Sequence, residues 1–90
     1  MAFTFEIKKP DNLQEVLTQV EREIHNEGGI FRGDLTSGDI SVGTPLGEVK
    51  GSYKVEETVI KITITKKPFL LTESRVKEEL IKYFDKYTKK

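Results

Sequence analysis

Residues 47–66, GEVKGSYKVEETVIKITITK, decide the fold of this chain. Apolar and polar residues alternate along the stretch, and the residues on the apolar side are Val49, Gly51, Tyr53, Val55, Ile60, Ile62 and Ile64. A period of two is typical of a strand with one buried face and one solvated face. The stretch therefore predicts two antiparallel strands in a sheet that is covered on one side only.

The chain before this stretch extends the same sheet. Short strands over residues 30–32 and 38–42 are separated by turn-forming sequences, so residues 30–65 predict a β-meander. Near the N-terminus, Phe3, Phe5 and Ile7 alternate with polar residues and predict one more strand, which Pro10 ends. Because the meander fills one edge of the strand over 58–65, we expect the first strand to lie at its other edge.

Two helices are predicted from apolar residues at helical spacing. The first has the stripe Leu13, Val16, Leu17, Val20 and Ile24. We expect Asp11 to cap it, with Gln14 completing a capping box, and Gly28-Gly29 to end it. After Lys67-Pro68 we expect Phe69-Leu70-Leu71 to cross towards the core and Thr72 to cap the second helix. Its stripe is Val76, Leu80, Ile81, Phe84 and Tyr87.

This order predicts a single α+β domain over residues 1–90. We expect two layers in the order β-α-β-β-β-(β)-α, with a curved antiparallel sheet of four or five strands packed on two helices. Gly51 lies on the apolar side in mid-strand, where glycine is typical of a bulge, a bend or a close approach. Gly47 and Gly51 would let the long strand curl around the second helix.

The composition excludes several function classes. The chain is 36% apolar and 33% charged, with 15 basic and 15 acidic residues, which is typical of a globular domain. It has no cysteine and a single histidine, His25, so we expect no metal site, no cofactor and no catalytic residues. The N-terminal residues do not resemble a signal peptide and no apolar run is long enough to span a membrane, so we expect a cytoplasmic, non-enzymatic protein.

The framework residues resemble those of the polyhydroxyalkanoic acid system family, a group of small bacterial proteins. The matching stretches are Phe31-Arg32-Gly33-Asp34, Val49-Lys50-Gly51-Ser52-Tyr53-Lys54-Val55, the alternating residues 59–64, and Pro68-Phe69-Leu70-Leu71. The resemblance implies this same order of strands and helices. It also implies an association with polyhydroxyalkanoate-type polymer granules.

Two binding hypotheses follow, one apolar and one electrostatic. A sheet curled around a helix leaves an apolar space between the layers, filled either by core side chains or by a hydrophobic ligand, a granule surface or a protein partner. The residues expected around this space are Gly51, Tyr53, Ile62, Phe69, Leu71, Leu80 and Phe84. The alternative is nucleic-acid or acidic-surface binding through a basic C-terminal patch of Lys66, Lys67, Lys82, Lys86 and Lys89. An unpaired edge at residues 30–35 would support a dimer.

Overall fold

The computed structural model describes residues 2–88 and contains five strands and two helices, with four of the strands following one another between the helices. The elements are β1 (Phe3–Lys8), α1 (Leu13–Asn26), β2 (Ile30–Gly33), β3 (Ser37–Thr44), β4 (Gly47–Val55), β5 (Val59–Lys66) and α2 (Glu73–Tyr87). The strands form one antiparallel sheet in the order β1-β5-β4-β3-β2. The predicted α+β class, the order of elements and the position of β1 beside β5 are confirmed.

One face of the sheet packs on both helices and forms the core. The buried side chains come from the sheet (Phe5, Phe31, Ile40, Val49, Tyr53, Ile60, Ile62 and Ile64), from α1 (Val16, Leu17, Val20 and Ile24) and from α2 (Val76, Leu80 and Phe84). The ring of Phe31 stacks on Tyr53 at 5.2 Å between centroids and meets Phe84 edge-on at 6.2 Å. Side chains therefore occupy the layer between the sheet and the helices.

The hairpin of β3 and β4 extends past the end of β5. Strand β3 pairs with β4 as far as the turn, Thr44 lying opposite Gly47, whereas β5 pairs with β4 only from Lys50 onward. A bulge interrupts the β4–β5 ladder between Lys50 and Gly51, as the mid-strand glycine predicted. A Cβ at Gly51 would collide with the backbone of β5, so this close approach requires glycine.

The start of α1 differs from the prediction. The N-cap is Asn12, and neither it nor Asp11 caps the helix through its side chain, so the predicted capping box of Asp11 and Gln14 is wrong. The Asn12 amide instead donates to Glu15 Oε1 at 2.8 Å and to the backbone oxygen of Tyr87 at 2.9 Å. The Asn12 side chain therefore bonds to the C-terminal end of α2 and does not cap α1. The local sequence around Asn12 does not reveal a contact with a residue so distant in the chain.

The end of α1 and the start of α2 follow the predictions. Gly28 has φ +85° just past α1, and the amide of Gly29 donates to the Ile24 carbonyl, which closes the helix. At the start of α2, the hydroxyl of Thr72 accepts a hydrogen bond from the Arg75 amide at 3.2 Å.

The segment between β5 and α2 does not cross towards the core as predicted. Phe69 is 95% exposed and Leu70 is 72% exposed, and only Leu71 is half-buried. A tight turn explains this, because the Leu71 amide donates to the Pro68 carbonyl and Lys67 Nζ donates to the Leu71 carbonyl at 2.8 Å. The turn directs the two side chains at its tip away from the protein.

Candidate functional site

An open apolar groove lies between the projecting end of the β3–β4 hairpin and α2. Its volume is about 400 Å³, and its apolar lining consists of Val42, Pro45, Leu46, Val49, Leu71, Val76, Leu80 and Tyr83. Val49, Val76 and Leu80 are buried and form its floor, while Leu46 is 51% exposed at its edge. The groove thus combines a fixed apolar floor with an accessible wall.

A two-residue turn at the hairpin tip positions that wall. The hydroxyl of Thr44 donates to the Gly47 carbonyl at 2.6 Å and accepts from the Leu46 amide at 3.2 Å. Gly47 has φ +137°, a conformation that favours glycine, and a Cβ there would lie 3.1 Å from the Pro68 ring. The hairpin tip therefore rests on the segment that leads into α2, and the groove opens between them.

Paired charges border the groove. Arg75 Nε lies 3.5 Å from Glu79 Oε1, and the Arg75 side chain is 64% exposed. The hydroxyl of Tyr83 donates to Glu27 Oε1 at 2.6 Å, and partial burial together with this hydrogen bond raises the pKa of Tyr83. The charged side chains of the lining are therefore one guanidinium, Arg75, and two carboxylates, Glu27 and Glu79, beside an apolar floor that can hold a hydrocarbon chain.

The structure disperses the residues that were predicted around an apolar space. Leu71 and Leu80 line the groove. Tyr53, Ile62 and Phe84 are buried core residues, and the Tyr53 hydroxyl donates to the Asp34 carbonyl at 2.7 Å. Burial raises the pKa of Tyr53 to about 12. Gly51 lies at the bulge and Phe69 is exposed, and neither residue lines the groove. The groove lies beside the hairpin tip, beyond the end of β5, and not in the layer between the sheet and the helices.

The predicted basic patch is divided between two places. On α2, Lys82 lies 3.8 Å from Glu79 and Lys86 lies 3.3 Å from Glu23, so each has an acidic partner. Lys66 ends β5 and Lys67 belongs to the turn before α2, whereas Lys86 lies near the other end of that helix, roughly 20 Å along its axis from Glu73. The remaining predicted residue, Lys89, lies outside the described residues.

Sequence reasoning missed much of the groove lining. Val42, Leu46 and Tyr83 were not selected, because their proximity depends on how far the hairpin projects past β5. One signal was available: Leu46 is a large apolar residue in a two-residue turn, where polar residues and glycine are usual.

Within residues 2–88, no three His, Cys, Asp or Glu side chains are placed to hold a metal ion. Neither α1 nor α2 is long and apolar enough to cross a bilayer. Searches against protein-family models, characterised proteins and solved structures found no match to this chain.

Proposed function

We propose that this protein is a non-enzymatic binding domain that holds the hydrocarbon chain of an acyl ligand in the groove between the β3–β4 hairpin and α2. The observation that carries the proposal is the groove itself, which is apolar and accessible, while core side chains occupy the layer between sheet and helices. We place this activity in the cytoplasm, consistent with the absence of cysteine.

The dimensions and polarity of the groove favour a small ligand. Its volume of about 400 Å³ lies in the range of roughly 300–1,000 Å³ that is usual for small-molecule sites. Such sites are mostly apolar with a few polar groups that fix the orientation of the ligand. Here Arg75 is the exposed cation at the border, where it already pairs with Glu79 at 3.5 Å, so a carboxylate or ester head would bind there by sharing this guanidinium with Glu79.

The resemblance to the polyhydroxyalkanoic acid system family suggests the kind of acyl group. A 3-hydroxyalkanoate combines an aliphatic side chain with polar ester and hydroxyl groups, and the groove combines an apolar floor with polar residues at its border. Short 3-hydroxyalkanoate oligomers are therefore the ligands to test beside a simple fatty acid such as decanoate.

A pair of matched leucines supplies the test. Leu46 lies in the turn after β3 at the groove and Leu35 lies in the turn after β2, and the two are 51% and 48% exposed. Leu46→Ser removes an apolar wall from the ligand, and we expect it to weaken decanoate binding about tenfold by calorimetry. Leu35→Ser is expected to leave the dissociation constant unchanged.

Equal effects of the two substitutions would contradict the proposal, as would the failure of both decanoate and the oligomers to bind the unaltered protein. Because both leucines are about half exposed and lie in turns, neither substitution is expected to change the free energy of unfolding by more than about 0.5 kcal/mol. A loss of binding by Leu46→Ser can therefore be assigned to the groove.

A further inference from the structure

Two large apolar side chains protrude next to the groove. Phe69 and Leu70, which we call the apolar knuckle, are exposed by 95% and 72% at the tip of the turn before α2. The turn is closed by the hydrogen bond from the Leu71 amide to the Pro68 carbonyl and by the bond from Lys67 Nζ to the Leu71 carbonyl, and these bonds hold the two side chains outward. Adjacent exposed apolar side chains are typical of an interaction site.

Lysines accumulate beside the knuckle. Lys66 and Lys67 come directly before it in sequence, and Lys50 of β4 lies directly opposite Lys66 of β5. Like charges facing each other across two strands are unfavourable. The carboxylate of Glu48 lies 3.5 Å from Lys50 Nζ and offsets one of these charges. This end of the sheet therefore keeps an excess of positive charge that folding alone does not require.

We propose that the knuckle and these lysines dock the protein on an anionic phospholipid surface. Phe69 and Leu70 would enter the boundary between headgroups and acyl chains, as apolar side chains do in interfacial anchors. Lys50 and Lys66 would lie against the lipid phosphates, since basic residues near an anionic surface are attracted to it. Lys67 keeps its bond to the Leu71 carbonyl and adds positive charge beside them. The apolar knuckle thus complements the acyl region of an anionic bilayer, and the lysines complement its phosphates.

This inference stands on residues other than those that carry the acyl-binding proposal. The knuckle side chains are not part of the groove lining, although the neighbouring Leu71 is. Docking would place the groove opening close to the lipid surface, where acyl ligands are concentrated. The two proposals can therefore fail separately.

Vesicle flotation tests the docking. The full chain is mixed with vesicles of phosphatidylcholine alone or of phosphatidylcholine with phosphatidylglycerol, and the bound fraction gives a partition coefficient. We expect binding to the anionic vesicles only, weakening steeply as salt is raised from about 0.05 to about 0.5 M. Phe69→Ser/Leu70→Ser is expected to lower the partition coefficient about a hundredfold.

Matched variants separate docking from a general loss of apolar surface. Ile30→Ser/Leu35→Ser removes two side chains that are 45% and 48% exposed at the opposite edge of the sheet, and it should leave vesicle binding unchanged. Lys66→Thr removes one of the facing lysines and should weaken binding about fivefold. Because one of two like charges is removed, its thermal unfolding midpoint should not fall substantially.

Three results would overturn the inference: no binding to anionic vesicles, equal binding to both vesicle types, or equal losses from the two double variants. Self-association that depends on Phe69 and Leu70, without vesicle binding, would instead assign the knuckle to a protein contact. Decanoate binding measured in the absence of vesicles tests the groove separately from vesicle docking. The Phe69→Ser/Leu70→Ser variant should keep the decanoate affinity of the unaltered protein.

Discussion

Two phenylalanines of opposite exposure test whether the layer between sheet and helices is a filled core. Phe84 on α2 is 1% exposed and contacts the ring of Phe31, whereas Phe69 is 95% exposed. Phe84→Ala removes a buried ring and leaves a cavity, so we expect it to cost about 3–5 kcal/mol. Phe69→Ala is expected to change the free energy of unfolding by no more than about 0.5 kcal/mol.

Guanidinium chloride unfolding measures both variants. An m-value of roughly 2 kcal/mol/M converts the expected loss for Phe84→Ala into a lower midpoint by about 1.5–2.5 M. A loss of about 3–5 kcal/mol is a large part of the stability of a small domain, so the Phe84→Ala variant could be largely unfolded. Ile62→Val is therefore included as a milder change in the same layer, and we expect it to cost about 0.5–1.5 kcal/mol. A loss below about 1 kcal/mol for Phe84→Ala would refute a filled core, since truncation beside an open ligand space creates no new cavity.

Three further predictions concern the turn after β2 and the bulge. Hydrogen bonds from Thr36 and from the turn backbone lower the pKa of Asp34 to about 2. The stability that the Asp34 carboxylate contributes should therefore be complete above about pH 4 and lost as the pH falls towards 2. The Asp34 carboxyl resonance should titrate near pH 2, and Asp34→Asn should abolish this part of the acid dependence of stability. Tyr53→Phe loses the hydrogen bond to the Asp34 carbonyl and should cost about 1 kcal/mol in the same unfolding assay, while an unchanged midpoint would show that the bond is not made in solution. Gly51→Ala forces a Cβ against the Thr63 carbonyl, so its thermal unfolding midpoint should fall; an unchanged or higher midpoint would contradict the close β4–β5 approach.

Most of the fold was predictable from periodicity. Apolar residues alternate in β4 and β5 and form stripes on α1 and α2, and these patterns indicate which face of each element is buried. Because the buried faces must pack on one another, they determine that the helices cover one side of the sheet. The N-cap of α1 was not predictable, because the Asn12 side chain is recruited by the distant carbonyl of Tyr87. Local propensity has no information about such a partner.

The candidate site was less predictable, for two physical reasons. The groove exists because β3 and β4 pair beyond the end of β5, and strand ends depend on pairing that the alternation does not fix. The exposure of Phe69 and Leu70 follows from a turn closed by the Lys67 side chain, whereas hydrophobicity alone predicts burial for both residues. Leu71 and Leu80 were predicted around a space between the layers, whereas the structure places them in the lining of the groove, a position that depends on how far the hairpin projects.

A two-dimensional amide NMR titration with decanoate tests acyl binding in the groove, because it locates the ligand without altering the protein. We expect saturable shifts at residues 42–49 of the hairpin and, on the other side of the groove, at Leu71 and along α2 from Arg75 to Tyr83. Amides of the central sheet around Gly51, Tyr53 and Ile62 should move little. Shifts concentrated in that central region, or no saturable shifts at all, would contradict binding in the groove at the end of the molecule.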